Sequence, residues 1–335
     1  MKFIISIVVL IMPYLGFAQS HKKEFIKLIQ KYDIPEKARH LPPTATCQDF
    51  WEITLNENPE LLNLTNDLKK NRGAEKEALQ KVYNLKLIDY KLDVEIIETF
   101  AGFCDTLVQN MGLPTKYFDL NVIYDPTPNA FTVQTQNGFA ICLHSGLIER
   151  LRYDYQRIMA VTAHEFAHGI LLHHIRHEYR VAKEKRKNQL LGGIAAGLTA
   201  VSAGADAYAS SVTGVNYDSQ KYSRQIDKIA DDVKISTLKY RYNYGREQEL
   251  EADLIALRFM QFIGYEDKYS EALQLITDSE DYFYSDEQSE HPSTMYRLEF
   301  LDFVRKNPEY TNTQKIKSIK VVDKQKDKYS DPIYD

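Results

Sequence analysis

The chain has 335 residues, of which 44% are hydrophobic and 12% are aromatic, which is enough for a packed core in one large or two modest domains. Its 42 basic and 47 acidic residues give a formal net charge of -5, and no segment is basic enough to follow the phosphates of a nucleic acid. We therefore expect a globular protein and no nucleic-acid partner.

The first twenty residues have the pattern of a secretory signal peptide. Lys2 precedes an apolar run from Phe3 to Leu15, and small residues in Gly16-Phe17-Ala18 flank a cleavage point. This run is shorter than the roughly 20 residues that cross a bilayer, so cleavage is favoured over an uncleaved anchor. We predict a signal peptide over residues 1–18 and export of the chain.

Helical periodicity dominates the next part of the chain. Apolar residues recur at spacings of three and four from about residue 21 to residue 112, and Pro42-Pro43 interrupts them. We predict an N-terminal helical region over residues 19–90 and a second domain from residue 91. The pattern alone does not indicate a function for the first region.

The three cysteines are Cys47, Cys104 and Cys142, which are far apart and have no C-x-x-C spacing. They therefore support neither a zinc ribbon nor a disulfide scaffold. In an oxidising compartment two of them can form a bridge, and the sequence does not select the pair.

The stretch from Phe118 to Leu147 changes character. Aliphatic and aromatic residues fill FDLNVIYD and FAICLHSGLI, and the intervening PTPNAF and TQNG have turn chemistry. This pattern predicts a small sheet, arranged as a hairpin or a meander.

A helix is predicted from Tyr153 to about Val181, with Asp154 at its start, and it contains the motif HEFAH. His164 and His168 are four residues apart, so both imidazoles lie on one helix face and can bind the same zinc ion. Glu165 projects beside them and suits a general base that acts on zinc-activated water.

Three further histidines follow the motif, and their spacing suggests no partner. They are predicted to lie at the surface and are His173, His174 and His177.

The third zinc ligand is predicted on a later helix, from Ser223 to about Phe262. There Glu249 and Asp253 share a face with small alanines, which would let this helix approach the HEFAH helix closely. Asp253 is one turn away and is placed to accept a proton from the outer nitrogen of a zinc-binding histidine. The neighbouring Glu247 and Glu251 are interpreted as solvated charges.

Between these helices, the basic run KEKRKNQ precedes the uncharged, small-residue run LLGGIAAGLTAVSAGA. Residues 189–205 suit peripheral membrane contact, because small residues permit close approach of helices. A buried helical hairpin or a mobile loop explains the same composition. Residues 183–220 also suit a lid over a cleft, given their glycines and their place between the ligand helices.

Two helices are predicted near the C-terminus, one over Tyr269–Ile276 and one after His291-Pro292, where proline suits a first helical turn. Residues 306–335 are charged and lack apolar periodicity, so a loosely ordered tail is expected there.

These motifs, taken together and in this order, resemble the HtpX and CAAX prenyl endopeptidase family of zinc metallopeptidases. The resemblance rests on HEFAH, on E-x-E-A-D at Glu249–Asp253, and on two further elements. Asn129-Ala130-Phe131, followed by a strand and Ser145–Ile148, resembles the family's NAF segment and edge strand, and His291-Pro292 with Arg297 resembles its HP-x4-R element.

The resemblance implies an α+β, mainly α-helical, zincin-like metallopeptidase domain over residues 91–305, with a small sheet beside the HExxH helix. It implies one zinc ion per chain and makes Glu249 the third ligand, with Asp253 as the partner of a ligand. Asn129, His291 and Arg297 are then expected near the substrate cleft, alongside the catalytic Glu165.

The expected function is that of a zinc metalloendopeptidase acting on polypeptides. Because the chain lacks the family's several long membrane-spanning segments, the resemblance points to a soluble, exported branch that acts on unfolded or damaged proteins in the bacterial periplasm or cell envelope. Two alternatives remain. One is an envelope chaperone or assembly factor with a latent metallopeptidase site, and the other is a zinc-dependent hydrolase of small molecules.

Overall fold

A computed structural model gives the structure of the protein. It describes residues 21–73, 76, 94–114, 118–135, 138–213, 219–277, 289 and 291–310. The predicted signal peptide and the tail after residue 310 lie outside the described residues.

The N-terminal part is helical, as the periodicity predicts. Its helices are α1 (residues 21–32), α2 (Glu36–Arg39), α3 (Cys47–Asn56), α4 (Pro59–Lys70) and α5 (Val94–Met111). Thr46 and Asp49 form a reciprocal capping box at the start of α3. Asn58 caps α4, where Pro59 occupies a position that needs no backbone donor.

A three-stranded sheet follows, in the order β1-β3-β2, with β1 (Phe118–Ile123), β2 (Ala130–Thr135) and β3 (Gly138–His144). The predicted hairpin is present, because β2 pairs with β3 antiparallel. A simple meander is not formed, since β1 pairs with β3 in parallel. The segment between β1 and β2 crosses the end of the sheet, and β3 then inserts between the two earlier strands.

The predicted last strand ends earlier than its apolar pattern suggests, because Ser145 begins a short helix, α6 (Ser145–Arg150). The Ser145 hydroxyl donates to the Asp125 carbonyl at 3.0 Å. A Cβ atom on Gly146 would lie 2.1 Å from the carbonyl oxygen of Pro126. The crossing segment therefore packs directly on the start of α6, which only glycine at position 146 permits.

The HEFAH motif lies on α7 (Tyr155–Ile170), and Asp154 caps that helix by accepting hydrogen bonds from the two backbone amides of Gln156 and Arg157. The helix does not continue to Val181. It breaks at Leu171 and Leu172, where Leu172 adopts a φ of 53° in the left-handed region.

Four helices complete the described fold: α8 (His173–Thr213), α9 (Ser219–Phe262), α10 (Glu266–Ile276) and α11 (Thr294–Lys306). Gly264, with a φ of 80°, ends α9, as its sequence position predicts. Ser293 caps α11, so Pro292 precedes the helix and does not form its first turn. A short 3-10 turn, Pro308–Tyr310, follows.

One hydrophobic core joins the N-terminal helices to α7 and α9. The Trp51 ring packs 4.7 Å from the Phe166 ring and 4.6 Å from the Phe259 ring, measured between centroids. Its indole N–H donates to the Met111 carbonyl at 3.1 Å. The three cysteines form no disulfide. The helices before the sheet therefore support the helix that carries the motif.

The glycine- and alanine-rich run is part of a long helical hairpin made by α8 and α9. The two helices are antiparallel, because Glu178 pairs with Arg241 near the base while Asp206 accepts from Tyr222 near the tip. Among the described helices, α8 alone contains a segment, His173–Ala207, that is long and apolar enough to cross a membrane. The most apolar part of this segment is 0% buried. A buried hairpin and a mobile loop are both wrong for this segment, which is helical and exposed.

Candidate active site

Three candidate zinc ligands meet where α7 packs on α9. The Nε2 atoms of His164 and His168 are 3.1 Å apart. Glu249 places Oε2 3.6 Å from His164 Nε2 and Oε1 3.4 Å from His168 Nε2. The ligand atoms all lie within 4.8 Å of one another. The two helices thus bring together the residues that spacing predicted.

This geometry fits zinc. Donors about 2.0–2.1 Å from an ion at tetrahedral angles lie about 3.3 Å from one another. The three separations measured here are close to that value, and two imidazoles with one carboxylate form the donor set of a zinc site that keeps a position open. The residues therefore fit one zinc ion without rearrangement of the helices.

The outer nitrogen of His164 rests on a buried carboxylate. Asp253 Oδ1 is 3.0 Å from His164 Nδ1, and the Tyr269 hydroxyl is 2.8 Å from the same nitrogen. The Arg297 guanidinium makes two hydrogen bonds to Asp253, of 2.8 and 2.6 Å, and Tyr269 also donates to this carboxylate. These contacts assign the proton of His164 to Nδ1 and leave Nε2 for the metal.

The contacts between His164, Asp253 and Arg297 lower the pKa of Asp253 and raise the pKa of His164. Burial would raise the pKa of Asp253, but Arg297 and His164 lower it to about 2. Burial would lower the pKa of His164, but hydrogen bonds to Asp253 and Glu249 raise it to about 9. Without metal, His164 therefore carries a proton on both ring nitrogens at neutral pH, and zinc must displace the one on Nε2.

The outer nitrogen of His168 meets a second histidine. His173 Nδ1 is 2.9 Å from His168 Nδ1, and His173 Nε2 is 3.2 Å from Glu251 Oε2. Arg176 then holds the Glu251 carboxylate with hydrogen bonds of 3.2 and 2.8 Å. His168 is thus connected to a carboxylate through an intervening imidazole, whereas His164 contacts its carboxylate directly.

Two expectations from sequence are corrected by this arrangement. Glu251 is fully buried and is not a solvated charge. His173 and His177 are buried as well, and His174 lies in the cleft with its Nε2 2.7 Å from the Thr132 carbonyl, so these histidines are not surface residues. The available signal was the mainly apolar stretch that follows Glu251, from Leu254 to Leu257, since a helix that is apolar on most sides is buried on most sides.

Burial lowers the pKa of His173 to about 4, so this ring is neutral. Burial would raise the pKa of Glu251, but Arg176 and His173 lower it to about 2. Burial also places the pKa of His168 well below its ordinary value. A neutral His173 can accept a hydrogen bond from His168 at Nδ1 while it donates one from Nε2 to Glu251.

Glu165 lies beside the ligands on the strand side of the cleft. The Thr132 hydroxyl on β2 lies 2.7 Å from the Glu165 main-chain carbonyl oxygen and 2.9 Å from its carboxylate, and it donates its single proton to one of them at a time. Burial raises the pKa of this carboxyl group, and the nearby Glu249 adds to the effect. A carboxylate whose pKa is raised toward neutrality suits a group that both accepts and returns a proton.

The remaining predicted residues line the same cleft, whose volume is about 750 Å³. Asn129 is exposed at its rim, at the start of β2. His291 is exposed and places Nδ1 3.2 Å from Glu249 Oε2, which raises the pKa of His291. Arg297 donates two hydrogen bonds to Asp253, so it lies on the side of His164 that faces away from the candidate metal position and not over the substrate.

The sequence model of peptidase family M48 matches residues 101–304, which is more than half of the chain. Among solved structures, the crystal structure of S. mikatae Ste24p is similar, with 14% sequence identity and a TM-score of 0.32. That similarity covers 88% of this chain and 65% of the Ste24p chain, so the protein spans less than two thirds of that relative's length. No curated protein has a significantly similar sequence. The family match and the intact ligand group lead to one conclusion: the chain belongs to peptidase family M48, a family of zinc metallopeptidases, and carries a ligand group that fits one zinc ion.

Proposed function

We propose that the protein is an exported zinc endopeptidase that cleaves unfolded or damaged polypeptides in the bacterial periplasm or cell envelope. The observation that carries the proposal is the position of Glu165, a partly buried carboxylate in contact with Thr132 and next to three ligands that fit one zinc ion. When bound, zinc polarises the substrate carbonyl and acidifies water. Glu165 takes a proton from water in the cleft and returns it to the leaving amine.

The preference for unfolded chains is supported by the sheet beside the cleft. β2 pairs only with β3 among the described strands, so it is an edge strand, and its residues Ala130, Phe131 and Thr132 line the cleft. An extended peptide that pairs with such an edge is recognised mainly through its backbone. Folded proteins rarely expose a segment in that conformation, whereas unfolded proteins expose many.

The decisive experiment compares cleavage of casein by the chain from Gln19 with cleavage by Glu165→Gln, with zinc content determined on both. We expect the variant to retain zinc and to lose about 100- to 10,000-fold in turnover, as expected when a general base is removed. Glu149→Gln, the same chemical change at an exposed position on α6, is the matched control and should cleave at the normal rate.

Each failure of this experiment has its own meaning. If both proteins hold zinc and neither cleaves, the chaperone or latent-site alternative replaces the proposal. If neither protein holds zinc, the assignment of the ligands is wrong.

Export is tested independently of catalysis. We expect the full chain, expressed in a bacterium with a periplasm, to appear in the periplasmic or membrane fraction with Gln19 as its first residue. The supporting feature is the small-residue ending of the apolar run at Ala18. A chain that stays in the cytoplasm with Met1 intact would contradict the proposed location.

A further inference from the structure

Large apolar side chains cover the outside of the α8–α9 hairpin. We call these residues the outer stripe; each is between 54% and 70% exposed, and they are Leu190, Leu191, Ile194, Leu198 and Val201. Four of them recur at spacings of three, four and three, so they lie along one side of α8. The outer stripe is therefore a continuous apolar surface and not a scatter of single residues.

The side of α8 that faces α9 carries small and polar residues instead. A Cβ atom on Gly192 would lie 2.7 Å from a Val233 methyl group. Asn188 donates to the Thr237 hydroxyl at 3.2 Å one turn earlier. The next residues on this side are partly buried and small, namely Ala195, Ala196, Thr199 and Ala203.

This distribution is the reverse of that in a water-soluble helix pair, where large apolar residues face the partner helix. Helices in contact with lipid place small residues between them, so that their backbones approach closely, and turn large apolar residues toward the acyl chains. The outer half of α8 follows the second arrangement.

The length and flanking charges of this segment are suited to a bilayer surface. Residues 188–205 contain no charged residue. As a helix they extend about 27 Å. Four basic residues precede them within six positions, at Lys183, Lys185, Arg186 and Lys187, with Glu184 as the only acid among them. Such a cluster attracts anionic headgroups, and long basic side chains reach the headgroups while the neighbouring apolar residues enter the lipid.

The partner helix excludes a transmembrane arrangement of the hairpin. The outer half of α9 exposes charged residues of both signs, at Lys221, Arg224, Asp227, Lys228, Asp231, Asp232 and Lys234. Charges of this density are not tolerated in the hydrocarbon region. α9 also exposes Ile226, Ile235 and Leu238, but these lie among its charges, whereas the outer stripe of α8 lies on an uncharged segment.

We propose that the outer stripe binds the surface of an anionic lipid bilayer, with α8 lying in the interface and α9 on its aqueous side. The contact is peripheral, because one helix face enters the headgroup region and neither helix of the hairpin crosses the membrane. Along α8, Leu191 is about 27 Å from His173 at the metal site, so bilayer binding holds the cleft near the membrane. The inference does not depend on the proposed peptidase activity.

The test is flotation of the chain from Gln19 with vesicles of phosphatidylcholine, with and without phosphatidylglycerol. We expect flotation with the anionic vesicles and a loss of about tenfold or more for Ile194→Glu/Leu198→Glu, since charge on the inserted face opposes binding. Both positions are over half exposed, so this variant should fold and should hydrolyse a short soluble peptide at the normal rate. Ser223→Glu/Ala230→Glu, which adds the same charge at exposed positions of α9, should float like the unchanged protein.

Three results would overturn the inference. The first is that the unchanged protein floats with neither kind of vesicle. The second is that the two double variants float equally well. The third is that the unchanged protein is a dimer that does not float while Ile194→Glu/Leu198→Glu is a monomer, which would assign the outer stripe to contact with a second copy of the chain. Glu165→Gln should float normally, so failure of the peptidase proposal leaves this test interpretable.

Discussion

The inner and outer halves of the α8–α9 hairpin differ in which side chains they bury. Near the metal site, α8 and α9 bury large side chains and ionised groups, among them Arg176, Glu251 and Asp253. Toward the tip, α8 turns small, partly buried residues toward α9 and exposes leucine, isoleucine and valine. The inner halves therefore depend on tertiary contacts for their stability, whereas the outer halves depend on helix propensity and contact with each other. Changes in the two halves should have separable effects.

The largest effect is expected for Glu251→Gln in the inner half. The change leaves the buried Arg176 charge without its partner, which costs about 3–5 kcal/mol in unfolding free energy. Denaturant titration of the zinc-loaded protein measures it. Glu247→Gln is the matched control, four residues earlier on the same helix. Its side chain is 38% exposed, and its bond to Lys31 predicts a cost of about 0–1 kcal/mol. Equal losses would show that burial does not distinguish these two glutamates.

A smaller effect is expected for Asp253→Asn, which weakens the hydrogen bond to His164 Nδ1. Zinc affinity should fall about 10- to 100-fold, the usual result of altering the partner of a ligand histidine. Competition with a metal chelator measures it. Asp267→Asn, at an exposed position on α10, keeps the same chemical change away from the site and should bind zinc normally. An unchanged affinity in Asp253→Asn would mean that Asp253 does not orient the ligand.

The pH dependence of zinc binding distinguishes the two histidines. The pKa of His164 is raised to about 9, so its proton is present at neutral pH and must leave when zinc binds. The pKa values of His168 and Glu249 are both well below their ordinary values, so at neutral pH His168 is a neutral imidazole and Glu249 is ionised. Zinc affinity should therefore rise about tenfold per pH unit between about pH 6 and 8, with about one proton released.

Calorimetry in buffers of different ionisation enthalpy counts that proton. Asp253→Asn removes the negative charge that raises the pKa of His164, so fewer protons should be released in that variant at the same pH. Release of two protons by the unchanged protein would place a second proton on the ligand group and contradict the assignment of a neutral His168.

The smallest effect is expected for glycines in the outer half. Gly193 has open space around it, so Gly193→Ala should stabilise the helix there by about 0.5–1 kcal/mol. Gly192→Ala gains less or nothing, because its Cβ would meet Val233 at 2.7 Å. Hydrogen exchange of amides in residues 188–205 measures both. Slower exchange in Gly192→Ala than in Gly193→Ala would contradict the close packing of α8 on α9. Zinc affinity should be unchanged in both.

The sequence predicted those parts of the site that follow from local geometry. Histidines four residues apart on a helix lie on one face whatever the fold, so His164 and His168 were identified by spacing alone. Glu249 and Asp253 share a face for the same reason. Family resemblance led us to expect Asn129, His291 and Arg297 near the substrate cleft, and all three line the cleft of the structure, but spacing did not reveal that Arg297 pairs with Asp253.

The contacts behind His168 were not predictable in this way. Gly169 lies two residues before the break between α7 and α8, but the break itself falls on two leucines, so the periodic pattern indicated one continuous helix to Val181. On such a helix His173 would point about 140° away from His168, since each residue turns the chain by about 100°. The parallel pairing of β1 with β3 was also missed, because strand patterns do not encode the order of strands in a sheet.

The left-handed conformation of Leu172 accounts for the contact between His168 and His173. This conformation ends α7 and places His173 at the start of a new helix, with its Nδ1 2.9 Å from His168 Nδ1. On a continuous helix His173 would point away from His168. Leucine resists this conformation by about 1–2 kcal/mol, and glycine would not. The leucine side chain, however, is buried with Leu61, Leu64 and Leu68 of α4. One residue thus couples the orientation of a metal ligand to the packing of the N-terminal helices, and substitutions that disturb the packing of α4 should weaken zinc binding.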